Sequence, residues 1–280
     1  MNIIGIGQAG CQVAKQFEKY SQYETYFVDT KKQEQYENFF KVVSRDSHEE
    51  YEEKYRSLPF KKITGDVTLI LSGSGKISGI LLRVLEQLKN RKVNVLYIKP
   101  DLKTTSKKTK TRERIVFGIL QQYARSNLID QLFVFSNLNV ESILSSVSIQ
   151  NYWNDINNVI SSTYHMYNVF ENTEPILSTL SDPNPVSKIS TFGVVSFDKL
   201  DEKIFYDLEK PRLKKYFFGV SETTLDEEKD LLQRIRGYVD SNAEENCSTC
   251  FAIYPTIYEQ DYAYTVHHAS FVQEQNLVDT

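Results

Sequence analysis

Two glycine-bearing loops, each set between a short apolar run and a helical segment, constrain this chain more tightly than any other feature. The first, Gly5-Ile6-Gly7-Gln8-Ala9-Gly10, follows the run Asn2–Ile6 and opens a helical pattern over Gln8–Tyr20, with apolar positions at Cys11, Val13, Ala14 and Phe17. The second, Ser72-Gly73-Ser74-Gly75-Lys76-Ile77-Ser78-Gly79, follows Val67–Leu71 and opens another pattern over Ser78–Lys89. Glycine lets backbone N–H groups approach a phosphate closely, and a helix N-terminus adds positive partial charge. A G-x-G-x-x-G run after a strand, with an acid about 20 residues on, is the fingerprint of dinucleotide sites. Asp29, just past the apolar run Tyr26–Val28, supplies that acid. A nicotinamide enzyme needs one such loop per nucleotide-binding unit; two loops converging at adjacent strand ends suit a triphosphate gripped from two sides. Lys76 does not make the second loop a Walker A motif, because no G-x-x-x-x-G precedes it and no Ser or Thr directly follows. Either loop also reads as a tight strand–helix turn without a ligand.

The alternation continues with a strand at Val93–Ile98, a helix at Arg114–Arg125 and a strand at Gln131–Phe135. Repeated strand–helix units predict an α/β fold, a parallel sheet with helices on both faces. Ile149, Trp153, Ile156, Ile160, Tyr164 and Tyr167 then step by three or four, the apolar face of one long helix. Glu171–Pro185, with its Asp-Pro and Asn-Pro pairs, breaks the pattern. Beyond it lie strand-like segments at Thr191–Phe197 and Lys215–Val220, and a helix at Leu225–Val239 opened by the capping-box pair Thr224 and Glu227. Strands at Cys247–Tyr254 and Tyr262–Phe271 follow, around a turn. The expected organisation is a nucleotide-binding domain over 1–147, a central helix over 148–170 and a smaller α+β domain over 171–280.

Composition bounds the class without naming a function. A chain of 280 residues carries one to two domains, and 40% hydrophobic with 25% charged residues excludes collagen-like and wholly disordered classes. No apolar run is long enough for a membrane-spanning helix, and the entry into an apolar strand at Asn2 without a basic region argues against a secretory signal. Three cysteines fit a reducing, cytoplasmic setting. A net charge of −4 argues against direct binding of nucleic acid. Lys103, Lys107, Lys108, Lys110, Arg112 and Arg114 read as a solvated basic loop between strand and helix, able to screen phosphates or meet an acidic neighbour. Cys247 and Cys250, with His267 and His268, read as strand core rather than a zinc site, since side chains three apart in a strand point to opposite faces.

In order along nearly its whole length, the chain resembles the tubulin/FtsZ superfamily. Gly7-Gln8-Ala9-Gly10-Cys11-Gln12 resembles the first nucleotide loop of tubulins, G-Q-A/C-G-x-Q, and Phe27-Val28-Asp29-Thr30 resembles the second, where phage tubulins use a similar Asp-Thr pair. Gly73–Gly79 sits where the signature G-G-G-T-G-[ST]-G would be, and Arg114-Ile115-Val116-Phe117 resembles the R-M-A-F of FtsZ. Trp153-Asn154-Asp155-Ile156-Asn157-Asn158-Val159 resembles its F-G-A-A-N-D-V. The resemblance implies GTP or GDP with Mg²⁺, held by Gly7, Gln8, Ala9, Gly10, Gln12, Asp29, Gly73, Ser74, Gly75, Lys76, Ser78, Gly79 and Arg114. It further implies that Trp153 stacks on the base and that Asn157 or Asn158 reads its edge. Family members polymerise head to tail and complete each site with an acidic loop of the next subunit; here that acid is Asp182, with Glu174 second.

The chain departs from the family in three places. The signature loop carries Ser74 and Ile77 in place of glycine; nothing glycine-rich occupies Lys41–Thr64, where His48–Tyr55 reads as a charged helix; and the acidic loop keeps one clear acid. The expected function is a GTP-binding filament protein with hydrolysis at the subunit interface, positioning or segregating DNA in a phage or bacterial setting. Its expected partners are further copies of itself and a DNA-adaptor or phage or host protein, with no membrane. The alternatives are a non-hydrolysing tubulin-like interaction protein and an NAD-dependent oxidoreductase built on the first fingerprint.

Overall fold

The computed structural model describes residues 1–33, 36–55, 58–144, 148–197 and 199–273. Residues 145–147, at the first expected domain boundary, and 274–280, at the end of the expected second domain, lie outside the described residues. The chain divides into two compact units, one over Met1–Ser161 and one over Ser162–Gln273.

The first unit holds strands β1 (Asn2–Ile6), β2 (Glu24–Asp29), β3 (Phe39–Lys41), β4 (Val67–Leu71), β5 (Val93–Lys99) and β6 (Gln131–Ser136). Its helices are α1 (Gly7–Lys15), α2 (His48–Lys54), α3 (Leu81–Leu88), α4 (Lys107–Arg125), α5 (Asn137–Ile143) and the first half of α6 (Tyr152–Glu171). The strands run in the order β3-β2-β1-β4-β5-β6, every pair parallel. β1 and β4 are buried at every residue, so both faces of the sheet are covered. Ile6 pairs with Leu71, which makes the two glycine loops leave the sheet side by side.

Sequence patterning missed β3 and α5, and it started α4 seven residues late. Lys107–Thr111 carries no apolar period, so only its good helix formers and the cap at Ser106, whose Oγ accepts the Thr109 N–H at 3.3 Å, mark the true start. The basic cluster from Lys107 to Arg114 is therefore helical, not a loop. The apolar face of α6 begins at Ile156: Ile156, Ile160 and Tyr164 are fully buried, whereas Ile149 precedes the helix and is almost fully exposed.

The second unit holds β7 (Leu177–Ser178), β8 (Ile189–Ser196), β9 (Asp201–Ile204), β10 (Leu213–Ser221), β11 (Ser248–Thr256) and β12 (Tyr262–Ala269), with helices α7 (Glu222–Glu227) and α8 (Leu231–Ser241). Its sheet is mixed: β8, β12 and β10 are antiparallel neighbours, β10 and β11 are parallel, and β7 and β9 add short antiparallel edges. Tyr216, Phe218, Phe251 and Ile253 pack beneath Leu231, Ile235 and Val239 of α8. Tyr167 and Phe170 of α6 meet Phe192, Phe217 and Tyr254 in edge-on, stacked and tilted ring contacts.

Two expectations are corrected here. The last two strands do not form a hairpin, because β10, buried at all nine positions, lies between them and takes a partner on each side. The helix expected over Leu225–Val239 is two helices. Ser221 caps the first by accepting the Thr224 N–H at 3.3 Å, and Thr224 donates its hydroxyl to Asp261 at 2.7 Å rather than serving as the cap itself.

Candidate functional site

In an open parallel sheet ligands bind outside the carboxyl ends of the strands, where the strand order reverses. That switch point falls between β1 and β4, the two strands that carry the glycine loops. Gly7 opens α1 with φ +69°, a conformation that costs glycine nothing, and a side chain there would meet Ile77 Cγ2 at 2.8 Å. The two loops thus touch at Gly7 and Ile77. Gly10 is needed for a different reason: a methyl group there would overlap the Ile70 carbonyl oxygen of β4. α2, α4, α5 and α7 each begin with a serine whose Oγ caps the first turn, whereas α1 has no side-chain cap and no acid in its first turn. A helix start of this kind is able to present its first N–H groups to an anion, although α3 and α8 lack a side-chain cap as well. Gln8 is exposed and Ala9 and Gln12 are half-buried on this helix, while Asp29 at the end of β2 accepts the Thr30 N–H at 2.6 Å.

The second loop enters a 3₁₀ turn over Lys76–Ile80 before α3 begins. Gly75 and Lys76 form its exposed rim, with Ser74 half-buried beside them. Lys76 lies 4.0 Å from the exposed Asp46 carboxylate, a screened pair of little energetic weight. Ser78 is only 2% exposed, and its hydroxyl is engaged within the loop, 2.6 Å from the Gly75 carbonyl and 3.1 Å from that of Gly73. Gly73 roofs a buried polar cluster: Tyr97 and Lys99 both donate to the Glu113 carboxylate, at 3.1 and 3.0 Å, and the Lys99 ammonium sits 4.3 Å from the Phe117 ring centre. Gly79 lies against the His48 carbonyl at the start of α2.

The 3₁₀ turn Gln16–Lys19 that follows α1 lies beside the start of α6: Gln16 donates to Asn154 at 3.1 Å and Lys19 donates to Asn158 at 2.6 Å. Asn158 is thus held by Lys19 of that turn, and Asn157, one turn on from Trp153 along the same helix face, is buried at 7% exposure. Trp153 is 57% exposed and edge-on to Tyr152 at 5.0 Å. Arg114 is exposed and lines an open groove of ≈ 580 Å³ with Ile115, Gly118 and Tyr123 on the outer side of α4, while Glu113 and Val116 face Gly73.

In the second unit, β7 pins the segment before Asp182 to β11, and the Ser187 N–H donates to the Asn184 carbonyl at 2.7 Å to close the turn after it. Asp182 is exposed and lines a groove of ≈ 390 Å³ with Asn184, Ser187, Arg212 and Ser248; Glu174 is exposed as well. Cys247 and Cys250 are buried free thiols, and no three metal-binding side chains cluster among the described residues.

The sequence matches no protein-family model, and no curated protein matches it. Its resemblance to solved structures is extensive. TubZ of Bacillus thuringiensis serovar israelensis, in a GTPγS-form protofilament, aligns with TM-score 0.71 and 14% identity over 95% of this chain and 86% of that one. CetZ2 of Haloferax volcanii, in a GTPγS-bound protofilament, gives 0.66 and 12% over 95% and 92%. An empty FtsZ dimer of M. jannaschii gives 0.64 and 12% over 96% and 87%. The fold is tubulin/FtsZ-like.

Two residues of this crevice escaped sequence reasoning: His48 and Glu113. α2 stands where the family carries a glycine-rich loop, so no motif marked His48 as part of the crevice. Glu113 lay inside a basic run that masked it, and the buried face of α4 is the only signal that finds it. Arg112 lies close enough to His48 for its charge to disfavour imidazole protonation. No helix among the described residues is long and apolar enough to cross a membrane.

Proposed function

We propose that this chain binds a guanine nucleotide in the crevice between β1 and β4 and polymerises head to tail. The observation that carries the reading is the pair of glycine loops side by side at the switch point, one leading into a helix without a side-chain cap. In this reading Gly7, Gln8, Ala9 and Gly10 present the α1 amides to phosphate, and Gln12 and Asp29 border the sugar and base. Gly73, Ser74, Gly75, Lys76 and Gly79 wrap the phosphates from the other side, with Ser78 shaping that loop from within. Trp153 is the stacking platform and Asn157 and Asn158 read the base edge, whereas Arg114, on the outer side of α4, is assigned no nucleotide contact. Mg²⁺, held by the phosphate oxygens, would neutralise their charge.

The three-part division into 1–147, 148–170 and 171–280 is the functional one we adopt: nucleotide grip, connecting helix, and a part that offers Asp182 to the next subunit. A site completed by a neighbour makes a heterologous contact, which propagates as an open filament rather than closing. The Asp182 carboxylate orients water for hydrolysis there. Structural analogy supports filament formation: TubZ is known in GTPγS-form and GDP-form protofilaments and as a plasmid segregation protein. A DNA cargo, reached through an adaptor, is the role we assign by that analogy.

Trp153 is the single tryptophan, so its fluorescence reports on this site alone. Titration with GTPγS should change the emission saturably, with ATP and NADH much weaker competitors. Emission that ignores GTPγS, or tight NADH binding without preference for guanine, would replace this reading with the oxidoreductase one.

A further inference from the structure

His48 occupies a position that no nucleotide motif predicts. Its Nε2 lies 2.8 Å from Ser78 Oγ and 3.2 Å from the Gly75 carbonyl oxygen, reaching from the first residue of α2 into the second glycine loop. A carbonyl can only accept, so two oxygens around one ring nitrogen call for the proton on Nε2. The imidazole then donates to Ser78 Oγ, and the Ser78 hydroxyl donates onward to Gly75 at 2.6 Å. Burial holds His48 below the ordinary imidazole range, with Arg112 acting in the same direction and the Gly75 carbonyl and Glu49 opposing it.

The consequence follows from the planarity of the peptide unit. In a trans peptide the C=O and the next N–H point in opposite directions. Turning the Gly75 carbonyl inward to Ser78 and His48 turns the Lys76 N–H outward. Turning the Gly73 carbonyl toward Ser78 Oγ does the same for the Ser74 N–H. Of these residues, Lys76 is exposed and Ser74 half-buried. Ile77 stands where the family has a glycine, and the loop holds its shape through a side-chain relay.

We propose that His48 is a positioning residue that, through Ser78, aims the Ser74 and Lys76 amides at a bound phosphate. This rests on the β1/β4 crevice being the nucleotide site. His48 touches no phosphate itself; it fixes the loop that does.

The test compares His48→Ala, His48→Gln, Ser78→Ala and the His48→Ala/Ser78→Ala double variant with the unaltered chain. GTPγS affinity is read by Trp153 fluorescence, and loop order by hydrogen exchange of residues 73–79 in the nucleotide-free protein. His48→Ala should weaken GTPγS roughly tenfold, the size of one lost hydrogen bond, and speed exchange in the loop while the unfolding midpoint stays close to that of the unaltered chain. His48→Gln, whose amide can reach the same partners, should recover most of the affinity. The double variant should bind no worse than the weaker single one, since both cut the same relay. Unchanged exchange and affinity in His48→Ala, or additive losses in the double variant, overturn the proposal. If the unaltered chain fails to bind GTPγS, the crevice reading falls and this inference with it; exchange that still quickens in His48→Ala then marks a structural clasp only.

Discussion

Two glycines of the same crevice, Gly10 and Gly75, should respond to alanine in opposite ways. At Gly10 the added methyl overlaps a β4 carbonyl, which is rigid backbone, so Gly10→Ala should destabilise the fold by about 2–3 kcal/mol in chemical denaturation. At Gly75 the nearest atom is Ile77 Cγ2 at 3.8 Å, so Gly75→Ala should leave stability within about 0.5 kcal/mol and act only on nucleotide affinity. His268 adds a pH prediction. Burial drives its imidazole down to about 3, with Lys215 and His267 acting in the same direction. Between the unfolded value near 6.5 and that folded value, the unfolded chain binds more protons than the native one. Stability is therefore complete above about pH 6.5 and falls as pH is lowered, with a slope approaching about 1.4 kcal/mol per pH unit. Urea unfolding at pH 7, 5.5 and 4.5 measures it, and His268→Asn should flatten the slope. At this scale the glycines were legible in the sequence because their spacing is a local backbone requirement. Ser78 was legible only as a candidate ligand, since a hydroxyl's partners depend on which elements fold against it.

The long elements were readable and the short ones were not. β1, β4, β5 and β6 declare themselves as continuous apolar runs, whereas β3, β7 and β9 are two to four residues long and take their shape from the neighbour they pair with. α4 shows the same limit from another side: its first two turns are basic and solvated, so periodicity could not find them. The order β12-β10-β11 was out of reach because a hairpin and a crossover leave the same local signal in each strand. α4 also carries a test. Glu113 is 1% exposed and holds Tyr97 and Lys99 beneath the second loop. Glu113→Ala removes the carboxylate that Tyr97 and Lys99 share and should cost about 2–4 kcal/mol, somewhat below a fully buried pair because Lys99 retains some exposure. Glu113→Gln keeps the shape and the tyrosine contact and should cost less than half of that in the same denaturation experiment.

At the scale of the whole molecule the chain has a tubulin/FtsZ-like fold at 12–14% identity to the structures it resembles. So distant a likeness persists because the fold is specified by buried strands and loop positions, while the identities of surface residues drift. The two glycine loops and the start of α6 were legible as ordered motifs along the chain. The turn carrying Asp182 was legible as a break holding one clear acid; which groups it meets is not a local property of the sequence. If Asp182 orients water in a neighbour's site, Asp182→Ala should slow phosphate release from GTP while leaving filaments at least as abundant. The central claim is that guanine nucleotide drives head-to-tail assembly, and sedimentation of the purified chain with GTPγS, with GDP and without nucleotide tests it most directly. The account predicts filaments in the GTPγS pellet and less polymer with GDP or none. A chain that stays in the supernatant at saturating GTPγS contradicts it.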